Sequence, residues 1–158
     1  YMQLGYQAES WPWRNFYLTG AKDLTRNEKP YTPVLTNYQT ISQMDTETLF
    51  DFCAIQINKN KAEGKEVVLN LHFSDTGEDA SLILKNSVLN HRLNRHEEDA
   101  PLDLTLSKKD FVSLFFGATN LKELCQDQKA SANGCKEIID ILTSCVETAH
   151  PDFNIVIP

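Results

Sequence analysis

Four histidines and four cysteines are the residues best suited to chemistry in this chain of 158 residues, and their spacing argues against most of the chemistry they could do. His72, His91, His96 and His150 include no pair at the separations that put two imidazoles on one face of a helix or strand, so they do not read as metal ligands. His72 falls on the polar side of a strand, between Leu71 and Phe73, where a solvated or hydrogen-bonded imidazole is expected. Cys53, Cys125, Cys135 and Cys145 lack CxxC spacing and any paired His pattern, which argues against structural zinc and for buried free thiols. Cys135 and Cys145 are expected on one helix, where ten residues rise about 15 Å, beyond disulfide reach. Pairing of Cys125 with either stays geometrically open, so an oxidising compartment is neither required nor excluded.

Nucleophilic hydrolysis finds no support. No Ser lies in a GxSxG elbow, the cysteines have no His partner in sequence, and Ser42 and Ser107 read as helix or loop caps. His91, Arg92, Arg95 and His96 form a small basic cluster that could hold an anion. Glu97, Glu98 and Asp99 follow at once and neutralise it as a solvated loop. The formal net charge of -7 argues against nucleic acid and anionic membrane surfaces as partners. No apolar stretch approaches the roughly twenty residues of a membrane helix.

The elements that would position such residues are legible from pattern. At 41% hydrophobic residues the chain can bury one core and is too short for two ordinary domains. Every Trp and Tyr lies at or before Tyr38, while all Phe except Phe16 follow Met44, which predicts two packing environments with a boundary near Thr46. Between them, residues 25–42 are rich in Thr, Asn, Gln and Pro, and Pro30 and Pro33 block regular helix, so this stretch reads as an extended linker. A helix should start at Asp45 or Thr46, bury Leu49, Phe50, Cys53, Ala54 and Ile57, and end at Gly64.

Alternation then predicts strands through Val67, Leu69, Leu71 and Phe73, through Ala80, Leu82 and Leu84, and from Val88 to Arg92, with turns at residues 74–77 and at Asn86 and Ser87. A charged loop over residues 94–101 leads to a strand through Leu102, Leu104 and Leu106. Ser107 should cap a helix closed by Gly117, and Thr119 or Asn120 another short one carrying Leu121, Leu124 and Cys125. A brief strand over residues 129–132 and a last helix with Ile138, Ile141, Leu142 and Cys145 inward, widened by Ile139 and Val146, complete the pattern. An edge strand over residues 153–157 is also expected. Strands with a single apolar face, interleaved with amphipathic helices in no strict βαβ order, imply an α+β fold: an antiparallel or mixed sheet of about five strands covered by helices on one side.

With catalysis unsupported, apolar binding is the remaining chemistry. Phe50, Phe111, Leu114, Phe115, Phe116, Leu121, Leu124, Ile138 and Leu142 come from the helices that should cover the sheet, as the lining of a tunnel would. A solid core would use the same residues. Phe115 and Phe116 cannot both point straight into one core, so one of them must look sideways or outward.

Residues 11–24, WPWRNFYLTGAKDL, carry two Trp, a Phe and a Tyr within seven residues, more apolar area than one short segment hides against itself. The run needs a neighbouring body, and the polypeptide preceding Tyr1 in a larger protein is the natural one; failing that, it should fold back on the later domain or drive association with a second copy. Together with LGYQAES at residues 4–10, VVLNLHFSDTGE at 67–78 and VLNHR at 88–92, it closely resembles bacterial alkylsulfatases, zinc enzymes that split sulfate from long-chain alkyl sulfates. The resemblance is strongest up to Leu24 and from Thr46 to Leu124.

The resemblance implies a parent with a metallo-β-lactamase-like catalytic domain, a helical dimerisation domain and a C-terminal domain resembling sterol carrier proteins. On that map residues 1–25 are the remnant of the dimerisation domain, 26–45 the linker and 46–158 the sterol carrier-like domain. It further implies an alkyl chain or fatty acid-like ligand in an apolar tunnel, a homodimeric parent, and zinc in the catalytic domain with no cofactor in this chain. The family's HxHxDH zinc phrase is missing, so this chain by itself is not expected to hydrolyse sulfate esters. The rival expectation is a purely structural domain packing on the other two. Periplasm and cytoplasm both remain open. Two departures from the family pattern stand out: Ser87 where the family carries Gly after Asn86, and Trp11 where it carries Gly.

Overall fold

Alternating apolar residues build a central strand, β1 (Val67–Phe73), and the rest of the larger unit is arranged around it. In a computed structural model, the described residues, 1–25 and 38–147, fall into two compact units that divide between them. The expected strand over residues 153–157 lies outside the described residues.

The first unit holds α1 (Met2–Gln7) and α2 (Trp11–Thr25). The aromatic run is thus helical. The two helices approach closely at Gly5, where an added Cβ would lie 2.6 Å from the Leu18 side chain. Arg14 donates to the Ala8 carbonyl at 3.0 Å and fastens the turn between them. Trp11 and Trp13 remain 74% and 67% exposed, with Tyr6 and Phe16 also exposed. Such a row of rings facing outward is an unpartnered apolar face.

The second unit is a five-stranded sheet with helices against one side. After α3 (Tyr38–Ser42) come α4 (Thr46–Ile55) and α5 (Lys59–Ala62). Then follow β1, β2 (Glu78–Lys85), β3 (Val88–Leu93), β4 (Leu102–Leu106), α6 (Lys108–Phe115), α7 (Leu121–Gln126), β5 (Ala130–Gly134) and α8 (Glu137–Ser144). Strand order is β3-β2-β1-β4-β5, with β1 and β4 parallel and the other pairs antiparallel, so the sheet is mixed and the architecture α+β as the pattern implies.

Register sorts the side chains cleanly. Val67, Leu69, Leu71 and Phe73 pair with Leu84, Leu82, Ala80 and Glu78 of β2, and all but Glu78 are buried toward the helices with Leu102, Leu104 and Leu106. The opposite face is polar, carrying Asp103, Thr105, Asn90 and Arg92 exposed. From β3 the chain must cross to β4 through residues 94–101, and Asn70 of β1 anchors that crossing. Its amide donates to the Glu97 carbonyl at 3.0 Å and to Asp103 Oδ1 at 2.9 Å, and accepts from the Glu97 N–H at 2.9 Å.

Four local expectations are corrected. The helix expected to run unbroken to Gly64 is split, because Ile57 pairs with Val146, the Asn58 N–H donates to Cys145 O at 2.9 Å, and Asn58 then caps α5. Residues 38–42, read as the end of an extended linker, form α3 with Ile41 buried, because that isoleucine joins the core. Cys135 and Cys145 do not share a helix: the Cys135 N–H bonds Pro101 O at 2.8 Å before α8 begins, and Cys145 is the residue that ends it. All four thiols are free. The inward face of α8 is correspondingly rotated onto Ile139, Leu142 and Cys145, leaving Ile141 at the surface and Ile138 half-buried.

Candidate functional site

Ser107 caps α6, the helix that carries Phe111, Leu114 and Phe115 of the expected tunnel lining. Its hydroxyl accepts from the Asp110 N–H at 3.1 Å, satisfying a free amide of α6. The helix then buries Phe111, Val112, Leu114 and Phe115. Phe111 stands 5.9 Å from Phe50, 5.7 Å from Phe73 and 5.8 Å from Phe115, centroid to centroid. Rings at these separations are in mutual contact, and seven of the nine expected lining residues, Phe50, Phe111, Leu114, Phe115, Leu121, Leu124 and Leu142, belong to one packed core. Phe116 turns sideways, as the adjacent pair required. It is half-buried, with ring partners Tyr38 of α3 at 6.1 Å and Phe52 of α4 at 5.9 Å.

Four of the nine lie toward α7 and α8. Asn120 accepts from the Glu123 N–H at 2.9 Å to start α7, whose Leu121 and Leu124 are buried. Leu142 of α8 is fully buried and Ile138 half so. Here a pocket of about 300 Å³ opens, lined by Asn120, Leu121, Lys122, Cys125, Lys136 and Asp140. Leu121 is the one expected lining residue that borders it. Cys125 had its signal in the sequence, on one helical face with Leu121. Lys136 and Asp140 had none, because only the tertiary fold brings the start of α8 to the same pocket as α7.

Elsewhere several polar groups pair with one another. His72 Nδ1 lies 2.7 Å from Asp79 Oδ1 and His96 Nε2 3.2 Å from the same oxygen. These two hydrogen bonds, His72 first, hold the Asp79 carboxyl below the usual carboxylate range. The basic cluster is neutralised as its sequence suggests: Arg92 and Arg95 meet Glu97 at 2.6 and 3.5 Å. His91 lies on the helix side, 5.5 Å from the Phe50 ring. Burial pushes the Cys53 thiol up, away from any nucleophilic role. Among the described residues no group of three His, Cys, Asp or Glu side chains could hold a metal ion.

One buried polar cluster escaped the sequence. Lys108, only 6% exposed, directs its ammonium to Met44 O at 3.2 Å and Glu78 Oε2 at 3.3 Å. Glu78 also accepts from Thr46 and Thr76 at 2.6 and 2.8 Å. The cluster ties the starts of α4 and α6 to the β1–β2 turn, and its contacts between Thr46, Glu78 and Lys108 join residues 30 or more apart in the chain, so no local pattern announces it.

Comparison with known proteins agrees with this geometry. Residues 35–158 match the family described as alkyl sulfatase C-terminal. A linear primary-alkylsulfatase from Pseudomonas sp. is 35% identical over 157 residues, covering 99% of this chain and 23% of that protein. The stereoselective inverting sec-alkylsulfatase Pisa1 from Pseudomonas sp. superposes with a TM-score of 0.79 at 26% identity, over 96% of this chain and 24% of its own. A UbiJ-SCP2 ubiquinone synthesis protein shares the fold at a TM-score of 0.50 and 14% identity, over 75% of this chain and 93% of its own. The chain thus spans about a quarter of the length of the alkylsulfatases it matches. It belongs to the alkyl sulfatase C-terminal family, on a sterol carrier protein-like α+β fold.

Proposed function

We propose that the sheet-and-helix unit binds the alkyl chain of amphiphilic sulfate esters and presents it to a hydrolytic site in the portion of alkylsulfatases that this chain does not span. The observation that carries the reading is the pocket at α7 and α8, whose floor residues Leu121 and Cys125 are part of the core or packed against it. A concave opening bordered by core side chains is where a chain of methylenes would begin to insert, and about 300 Å³ is the lower end of the size range of ligand pockets. Phe50, Phe111, Leu114, Phe115, Phe116, Leu124, Ile138 and Leu142 are the packed side chains that would part to line the path of such a chain.

Zinc is assigned to that other portion as well. The donor set here does not fit it, because no group of three His, Cys, Asp or Glu side chains among the described residues could hold a metal ion. No step of hydrolysis is therefore attributed to this chain. The α1–α2 hairpin is read as a remnant of a helical dimerisation domain of a homodimeric parent, its exposed rings covered there by preceding polypeptide.

A second reading has its own support. The contacts among Phe50, Phe73, Phe111 and Phe115 leave no room between those rings, as expected of a domain that only packs on its neighbours. Titration with a fluorescent fatty acid, with dodecanol as competitor, separates the two. Saturable, competed binding is expected, and none up to the solubility limit of the probe excludes the binding role. Sulfate release by the chain alone should be nil, and zinc-dependent turnover would overturn the division of labour.

A further inference from the structure

The rim of the α7–α8 pocket carries a charge pattern that the apolar reading leaves unused. Its charged lining is two lysines, Lys122 and Lys136, to one carboxylate, Asp140, in a chain of net charge -7. Neither lysine ammonium has a hydrogen bond or ion pair with any described residue, whereas Lys85, Lys108 and Lys129 are each held by a carboxylate. The neighbouring acidic groups on the same helices are Glu123, which accepts from Thr119 at 3.1 Å, and Glu137. The same pocket is lined by buried Leu121 and half-buried Cys125.

We propose that this pocket is the mouth of the site and holds the anionic head of an amphiphile. The first carbons rest on Leu121 and Cys125, and the head group lies between Lys122 and Lys136. This rests on the alkyl-binding reading above and adds an orientation to it: tail inward, charged head at α7 and α8. Ammonium groups act on a sulfate or carboxylate head as point charges with rotatable donors, which suits a head group of either geometry. Asp140 opposes them and sets a limit on how strongly the mouth attracts anions.

Calorimetric titration of the full chain with decyl sulfate, decanoate and decanol, all below their aggregation concentrations, tests the orientation. The K122Q/K136Q variant changes two exposed side chains and should fold as the parent does. It should bind both anions about three- to thirtyfold more weakly, two exposed charge contacts being worth roughly that, and bind decanol unchanged. Asp140→Asn should shift the anions the opposite way. Added salt should shrink both effects as it screens the rim. If all three ligands bind and the double variant treats anions and alcohol alike, the mouth is elsewhere while chain binding stands. If even decanol fails to bind the parent chain, the alkyl-binding reading itself falls and this inference with it.

Discussion

Replacing Asn70 with Ala removes three hydrogen bonds at once from a side chain only 4% exposed. The Glu97 N–H and carbonyl would lose the partner that pins residues 94–101 across the polar face of the sheet. A buried polar group stripped of its partner costs about 1–3 kcal/mol, so chemical denaturation of the variant should show a loss of that size. Glu78 makes a different residue-scale prediction. The Thr46 hydroxyl, then that of Thr76, with the Lys108 charge assisting, hold its carboxyl below the ordinary value of 4.5. A carboxyl more acidic in the folded chain lends stability that is complete above the unfolded value and drains away as pH falls below it. Melting temperature should therefore decline on acidification below about pH 4.5, and Glu78→Gln should decline less steeply while starting lower. An unchanged slope would remove Glu78 from the acid response.

Among elements, the β2–β3 hairpin shows how a local rule survives an unfavoured residue. Asn86 and Ser87 sit at φ of 52° and 62°, the mirror-image turn that matches the twist of paired strands. Glycine meets the second position without Cβ strain, and a left-handed conformation costs other residues about 1–2 kcal/mol. Ser87→Gly should therefore stabilise the unit by up to about 1 kcal/mol, the greater freedom of glycine in the unfolded chain offsetting part of the gain, as thermal melts would register. The turn was legible because its determinants are adjacent in sequence, and so were the alternation of β1 and the Ser107 and Asn120 caps. The break between α4 and α5 was not, since it depends on Ile57 meeting Val146 far along the chain. The start of α8 beyond Cys135 was likewise hidden, since the Cys135 N–H bonds Pro101 O, 34 residues back in the chain. The same division runs through the site: Leu121 and Cys125 follow from helical spacing, while Lys136 and Asp140 join them only through tertiary packing.

At the scale of the whole molecule, the two units place their apolar surface in opposite ways. The sheet-and-helix unit buries Leu69, Leu71, Leu82, Phe50 and Phe111 completely, while the α1–α2 hairpin leaves Trp13 and Phe16 at 67% and 55% exposure. Pro12, Trp13, Phe16 and Tyr17 border a shallow concavity of about 350 Å³, the sort of surface that another polypeptide covers. If the hairpin is the edge of a dimerisation domain and ligand binding belongs to the other unit, the two properties should separate by mutation. Trp13→Ser together with Phe16→Ser should lower binding of the apolar dye ANS and reduce self-association in sedimentation velocity. Affinity for decanol should not change, because the pocket lining belongs entirely to the other unit. Lost decanol binding in a variant whose sheet-and-helix unit still melts cooperatively would place the alkyl chain on the hairpin's rings, and the pocket at α7 and α8 would then need another occupant.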